Sequence, residues 1–249
     1  MVTHPSLTPN PADSCRTCLV TGASRGIGLA ITERLLVASH RVIGLARHFQ
    51  TELLTRPGFT GITADLRDLK TLTATLKKLR EDFPSVDGVI CNAGYGRFGS
   101  LEEFSPAQIR ELVDVNLISQ MLVAREFLPH LKSRGRGDLV FMGSEAARTG
   151  GRKGAVYSAT KFALRGFAQS LRQECAASGV RVGIVNPGMV QSGFFDPLAF
   201  QPGMERDQHL TPQDVAEAVW LMLSARPGAA IDEINLSPQK KVVQFKDIR

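Results

Sequence analysis

No window of the chain holds the ~18 uninterrupted apolar residues of a membrane-spanning helix, so no membrane partner is expected. Cysteine is scarce as well. Four, at positions 15, 18, 91 and 175, make no disulfide framework in a chain of this size, and the cytoplasm is the expected compartment. Cys15 and Cys18 share the Cys-x-x-Cys spacing of zinc and redox sites. There is no second pair, however, and Cys18 falls within the first predicted strand, so a core or incidental role is preferred and no metal is expected. Residues 1–14 carry three prolines and no apolar segment, and read as a polar tail, not a secretory signal. Aromatic residues make up only 6% of the chain. The net charge of +6 invites a nucleic-acid reading. Yet the basic residues are scattered, apart from Lys77-Lys78, Arg134/Arg136 and Lys240-Lys241, and no aromatic platform accompanies them. They read as solvated surface charge, and no nucleic acid is expected.

What the chain does have is an apolar fraction of 43% in 249 residues, enough for one large α/β domain. Short apolar runs at 17–21, 41–46, 59–64, 88–91, 138–142, 181–186 and 233–236 read as strands. Helical patterns fall between them at 29–38, 68–82, 106–131, 155–178 and 212–224. Alternation of this kind predicts a single-domain, doubly wound, seven-stranded parallel sheet with helices on both faces. No repeat or Ser/Gly linker divides it, so the domain is expected at 15–238, with tails at 1–14 and 239–249. Ligands of such sheets bind outside the carboxyl ends of the strands.

After the first strand comes Thr21-Gly22-Ala23-Ser24-Arg25-Gly26-Ile27-Gly28. Strand, glycine turn and helix in that order open a dinucleotide-binding βαβ unit. Gly22 suits the tight turn, Gly26 the approach of a pyrophosphate and Gly28 close helix packing. The N–H groups at the helix start, from Ser24 to Ile27, then face the phosphates. A glycine turn made for backbone reasons alone would look the same.

Tyr157 and Lys161 stand four residues apart, with Ser144 thirteen residues upstream. Positions i and i+4 share a helix face, so the Lys161 ammonium is expected beside the Tyr157 phenol, lowering its pKa toward working pH. A phenol so tuned exchanges protons with an oxygen at a reacting carbon, and Ser144 can grip that oxygen. Tyr-x-x-x-Lys alone also fits a solvated helix face.

Taken together these residues resemble the short-chain dehydrogenase/reductase family, with its Rossmann-type fold. Thr21-Gly22-x3-Gly26-x-Gly28 resembles its cofactor loop and Asn92-Ala93-Gly94 its central motif. Asn116 matches its helix asparagine, Ser144, Tyr157 and Lys161 its catalytic trio, and Asn186-Pro187-Gly188 the segment after its sixth strand. The matches run in order from about 16 to 236. The resemblance implies an oxidoreductase moving a hydride between a nicotinamide and a carbonyl or secondary alcohol. Nicotinamide would lie over Asn92-Ala93-Gly94, although Cys91 replaces the first of the family's usual two asparagines. Lys161 would hold the ribose, Asn116 a water in a proton relay, and Pro187, Gly188, Val190 and Ser192 the carboxamide. Asn116 as a buried asparagine at a helix kink is the competing reading. Asp65-Leu66 matches the family's adenine contact; a helix N-cap would explain Asp65 equally well. Helix 155–178, with Val156, Ala163, Leu164, Phe167 and Leu171, implies a homodimer or homotetramer, although core packing explains part of that pattern. The rival class is a dinucleotide-binding redox sensor without turnover, which a degenerate trio would have favoured.

NAD binders place an acid after the second strand, whereas NADP binders use arginine. Here Ala46 stands in that place and Arg47 follows. With Arg25 from the glycine turn, it predicts NADP(H); a surface role for Arg47 is the alternative. The segment 193–202, with Phe194, Phe195 and Phe200, is expected to be a lid over a partly apolar pocket, or aromatic packing against the sheet. Arg97, Arg148, Arg152 and Lys153 lie near the predicted mouth, and Arg148 and Arg152 are expected to draw an anionic substrate. The substrate readings are a 3-hydroxy acid or β-hydroxy amino acid, a carrier-bound 3-oxoacyl group, or a xenobiotic carbonyl.

Overall fold

The computed structural model describes residues 15–246. The tail expected at 1–14 lies outside the described residues, as do the last three positions. In chain order the strands are β1 (Thr17–Thr21), β2 (Arg41–Ala46), β3 (Phe59–Thr63), β4 (Val86–Cys91), β5 (Gly137–Met142), β6 (Val180–Pro187), β7 (Phe200–Pro202), β8 (Glu233–Leu236) and β9 (Val243–Phe245). The helices are α1 (Gly26–Val37), α2 (Thr51–Leu54), α3 (Leu69–Asp82), α4 (Pro106–Val113), α5 (Ser119–Ser133), α6 (Ala155–Cys175) and α7 (Pro212–Ser224).

Seven strands pair in the order β3-β2-β1-β4-β5-β6-β8, every pairing parallel. All five residues of β1 are buried, as expected where helices cover both faces of a sheet. Side chains alternate along each strand, and so do the two cores. Leu19, Ile43, Val89 and Leu139 face α3, α5 and α6; Val20, Val42, Ile90 and Val140 face α1 and α7. Strand order reverses between β1 and β4, and that switch point opens a crevice at their carboxyl ends.

The helix expected at 106–131 is interrupted. Ser105 and Gln108 form a capping box that starts α4, but Asp114–Ile118 widens into a π turn before α5 begins. The widened turn leaves the Val115 carbonyl to side chains: Ser119 Oγ donates to it at 2.7 Å and Gln120 Nε2 at 3.0 Å. Helix α1 begins at Gly26, earlier than expected, and α6 ends at Cys175, followed by a 3-10 turn.

The short elements α2, β7 and β9 were not foreseen. Strand β9 falls in the segment read as a C-terminal tail, yet pairs antiparallel with β7, Phe200 opposite Phe245. Beyond it, Lys246 Nζ donates to the carbonyls of Phe195 (2.6 Å) and Asp196 (3.2 Å). At the far end of the sheet, two guanidinium groups share the buried carboxylate of Asp138. Arg16 Nη2 lies 2.7 Å from Oδ2 and Arg181 Nε 2.7 Å from Oδ1. Both arginines also donate to the Leu223 carbonyl at the end of α7.

Candidate active site

A cavity of about 1130 Å³ opens at the switch point, and its wall carries most of the residues expected there. One end is the glycine turn. Gly22 and Gly26 have φ of 69° and 55°, left-handed conformations that favour glycine. A Cβ at Gly28 would fall 2.1 Å from the Gly22 carbonyl oxygen, so the helix can start here only without a side chain. Arg25, at the N-cap of α1, makes no side-chain cap bond, leaving the first-turn N–H groups available to an anion. Ser24 and Ile27 complete this wall, with Arg47 beside it at the end of β2. Arg25 and Arg47 are exposed and form no ion pair among the described residues. These features fit the phosphates of a dinucleotide.

Asp65 and Leu66 also line the cavity. Asp65 is not the N-cap of α3; Asp68 is, accepting from Thr71 N at 3.0 Å. Arg67, which sequence reasoning missed, grips the Asp65 carboxylate with Nη2 at 2.6 Å from Oδ2, and its hydrogen bonds hold that carboxyl below the usual range.

The loop after β4 is fixed from both sides. Asn92 Nδ2 donates to the Thr21 carbonyl at 2.9 Å, and Thr21 Oγ1 accepts from the Asn92 and Ala93 N–H groups, each at 3.0 Å. Asn92 thus ties the end of β4 to the glycine turn. Asn116 is buried in the π turn and does not line the cavity. Its amide is occupied by the Tyr95 backbone, accepting from N at 3.0 Å and donating to O at 2.9 Å. Gln120 Nε2 donates to the Ala93 carbonyl at 3.0 Å. Neither the Tyr95 nor the Ala93 contact could be read from sequence, because both cross between elements. Gly94 sits where a Cβ would lie 3.1 Å from Asn116 Oδ1 and 3.7 Å from Lys161 Nζ.

Tyr157 and Lys161 share one face of α6, the ammonium 5.8 Å from the phenol ring centre. Both line the cavity with Ser144, which stands just past β5 and whose Oγ accepts from Ala146 N at 3.2 Å. The expected lowering of the phenol's pKa is not what this arrangement gives. Burial pushes Tyr157 up to about 12, the Ser144 hydroxyl pulling the other way. Burial also brings Lys161 down to about 8. The ammonium's partner is the Met142 carbonyl, 2.8 Å away, and desolvation governs the phenol. Tyr157 is therefore held as a protonated donor at neutral pH, with a cation one helical turn away.

Pro187, the last residue of β6, and Gly188, Val190 and Ser192 beyond it lie along the cavity wall. Ser192 Oγ accepts from Phe194 N at 3.4 Å, capping the turn that carries the lid phenylalanines. Arg148 lines the cavity; Arg152, Arg97 and Lys153 do not. The wall near them is made by Thr149, Gly150, Gly151 and Gly154, while Arg152 stays exposed in the turn, so the expected pair of substrate arginines reduces to one. Phe98 and Lys241 also line the cavity unforeseen, Lys241 paired to Glu145 at 2.8 Å. Cys18 is buried in β1 and Cys15 exposed. No helix among the described residues is long and apolar enough to cross a membrane.

A parallel sheet with a glycine turn at its switch point and a Tyr–Lys–Ser group facing it defines a nucleotide-binding oxidoreductase. The family model described as short chain dehydrogenase matches residues 16–201, and the chain belongs to the short-chain dehydrogenase/reductase family. It is 34% identical over 220 residues to the 1-deoxy-11-beta-hydroxypentalenate dehydrogenase of Streptomyces exfoliatus, covering 84% of this chain and 80% of that one. It is 29% identical over 239 residues to the NADP-dependent 3-hydroxy acid dehydrogenase of Schizosaccharomyces pombe, covering 90% and 92%. The crystal structure of an alcohol dehydrogenase from the archaeon Thermococcus sibiricus, complexed with 5-hydroxy-NADP, superposes with a TM-score of 0.82 at 28% identity, covering 92% and 99%.

Proposed function

We propose that the protein is an NADP(H)-dependent oxidoreductase acting on a carbonyl or secondary alcohol, with Tyr157 as the acid. The observation that carries this reading is a buried phenol on the cavity wall beside Lys161 and Ser144. A reduced nicotinamide, when bound, supplies the hydride. Ser144 orients the substrate oxygen, and Tyr157 gives it a proton as negative charge develops there. Lys161 still carries its proton at neutral pH and stabilises the phenolate left behind. Gly22 to Gly28, Asn92 to Gly94 and the segment 187–192 hold the cofactor. Asn116 acts by fixing the loop that carries Gly94.

Preference for NADP(H) is supported by Arg25 and Arg47 flanking the glycine turn with no acid after β2. The yeast relative is named for NADP dependence and the archaeal neighbour holds an NADP derivative. A sensor without turnover is disfavoured by the intact trio. Assembly as a homo-oligomer is supported by Phe162, 44% exposed on α6. Four of the five apolar residues first read that way serve the protein's own core: Val156, Leu164 and Leu171 are buried, and Phe167 packs on Phe141, while Ala163 stays exposed. The cytoplasm remains the proposed compartment.

The test is NADPH consumption with a panel of carbonyls, using Tyr157→Phe as control. Wild type should reduce at least one member, and the variant should lose on the order of 10²–10⁴ in kcat. Equal rates from the two proteins would remove Tyr157 from the mechanism.

A further inference from the structure

Five aromatic rings close a circuit on the substrate side of the cavity. Tyr157 lies 5.1 Å from Phe98, Phe98 5.0 Å from Phe200, and Phe200 5.8 Å from Phe195. Phe195 lies 5.1 Å from Phe194, which returns to Tyr157 at 6.1 Å. All five line the cavity, and Phe98, Phe194 and Phe200 are only half-buried, so apolar surface remains to be covered. The circuit is held in place from outside. Phe200 belongs to β7, which β9 pairs, and Lys246 Nζ binds the Phe195 carbonyl. Phe194 backs onto Gly96, where a Cβ would fall 2.5 Å from the ring.

The charges nearby are of both signs. Glu145 and Lys241 neutralise each other, and the exposed Arg148 and Asp196 are opposite in sign. The Lys161 ammonium is held by the Met142 carbonyl, and a carboxylate seated against the rings themselves would lose hydration to aromatic surface. A ring placed there would bury its faces and edges against aromatic neighbours.

Building on the proposed oxidoreductase activity, we propose that the substrate is an uncharged carbonyl or secondary alcohol bearing an aromatic or alicyclic ring, which docks against this circuit. This replaces the anionic substrate expected from the arginines. The experiment compares kcat/KM for 4-phenyl-2-butanone and 3-oxohexanoate with saturating NADPH. Alongside it, calorimetry measures 4-phenyl-2-butanol and 3-hydroxyhexanoate binding to the protein saturated with NADP+. The phenyl compounds should be favoured roughly tenfold or more, the scale of a well-filled apolar pocket. Phe98→Ala and, should that variant fold poorly, Phe194→Leu should remove most of that preference while NADPH affinity stays the same. Preference for the oxo acid, or phenyl binding unchanged in a folded variant, would overturn the inference. If no carbonyl is reduced, the oxidoreductase reading falls instead. The calorimetry then decides the docking surface alone: tighter 3-hydroxyhexanoate overturns it, tighter phenylbutanol sustains it.

Discussion

Lys161 stands in the protein as a cation kept in an apolar place. Its folded pKa of about 8, against 10.5 for the free side chain, means that the unfolded chain binds more protons than the folded one between those values. Stability therefore rises with pH across that window, by up to about 3 kcal/mol from this group. Tyr157 has the opposite sign, with a pKa raised from 10 to about 12: its contribution is full below pH 10 and is lost above. Burial also raises the Cys18, Cys91 and Cys175 thiols above 9.0, so it is the window from pH 8 to 9 that isolates the lysine. Thermal unfolding of Lys161→Met should lack the rise seen in wild type there, and the variant should lose turnover. At the cofactor end, Arg47→Ala should raise KM for NADPH roughly tenfold to a hundredfold and leave KM for NADH nearly unchanged, the scale of a lost charge-assisted bond. Steady-state titration with both cofactors measures it. The pairing of Tyr157 with Lys161 was legible because the two stand one turn apart on a single helix, and Ser144 because it follows a strand a short way upstream. The direction of the phenol's shift was not, because it depends on how much protein surrounds the ring.

Among elements, the interrupted helix from α4 to α5 does the most to position the site. A π turn inside an α-helix frees a carbonyl and redirects side chains, and here it aims Asn116 at Tyr95 and Gln120 at Ala93. Gln120 is buried, and its Nε2 also satisfies Val115. Gln120→Leu should leave the Ala93 carbonyl without its donor, while Ser119 still serves Val115, lowering stability by about 1–3 kcal/mol. It should also weaken NADPH binding, because the loop carrying Ala93 and Gly94 loosens. Denaturant unfolding with fluorescence titration of NADPH separates the two effects; lower stability at unchanged affinity would make Gln120 a packing residue only. Apolar periodicity runs through both helices without a break, which is why the sequence reads as one helix from 106 to 131. The extra residue in the turn shows only in the backbone hydrogen bonds.

At the scale of the molecule, the two ends of the sheet divide the work. The carboxyl ends carry the cavity, while the amino ends are closed by Arg16, Asp138 and Arg181 around one buried carboxylate. Burial of such a group contributes little by itself, but removing Asp138 leaves Arg181 without a charged partner, while Arg16 keeps Asp87 at 3.1 Å. Asp138→Ala should therefore destabilise the fold by about 3–5 kcal/mol without changing KM for either substrate in the molecules that remain folded. Chemical denaturation paired with kinetics checks both halves.

Local pattern was enough for the alternation of strands and helices, the glycine turn with Arg25, the placing of the Tyr–Lys–Ser group and Arg47 after β2. Each depends on residues close together in the chain, where backbone geometry and side-chain period act directly. Tertiary structure decided what lies between distant segments. It brought β9 from the apparent tail onto the lid, and it set Phe98 among rings from positions 157 to 200. It also left Arg152 off the cavity wall and made burial govern the Tyr157 proton. Packing density and desolvation are sums over neighbours that only the folded chain assembles.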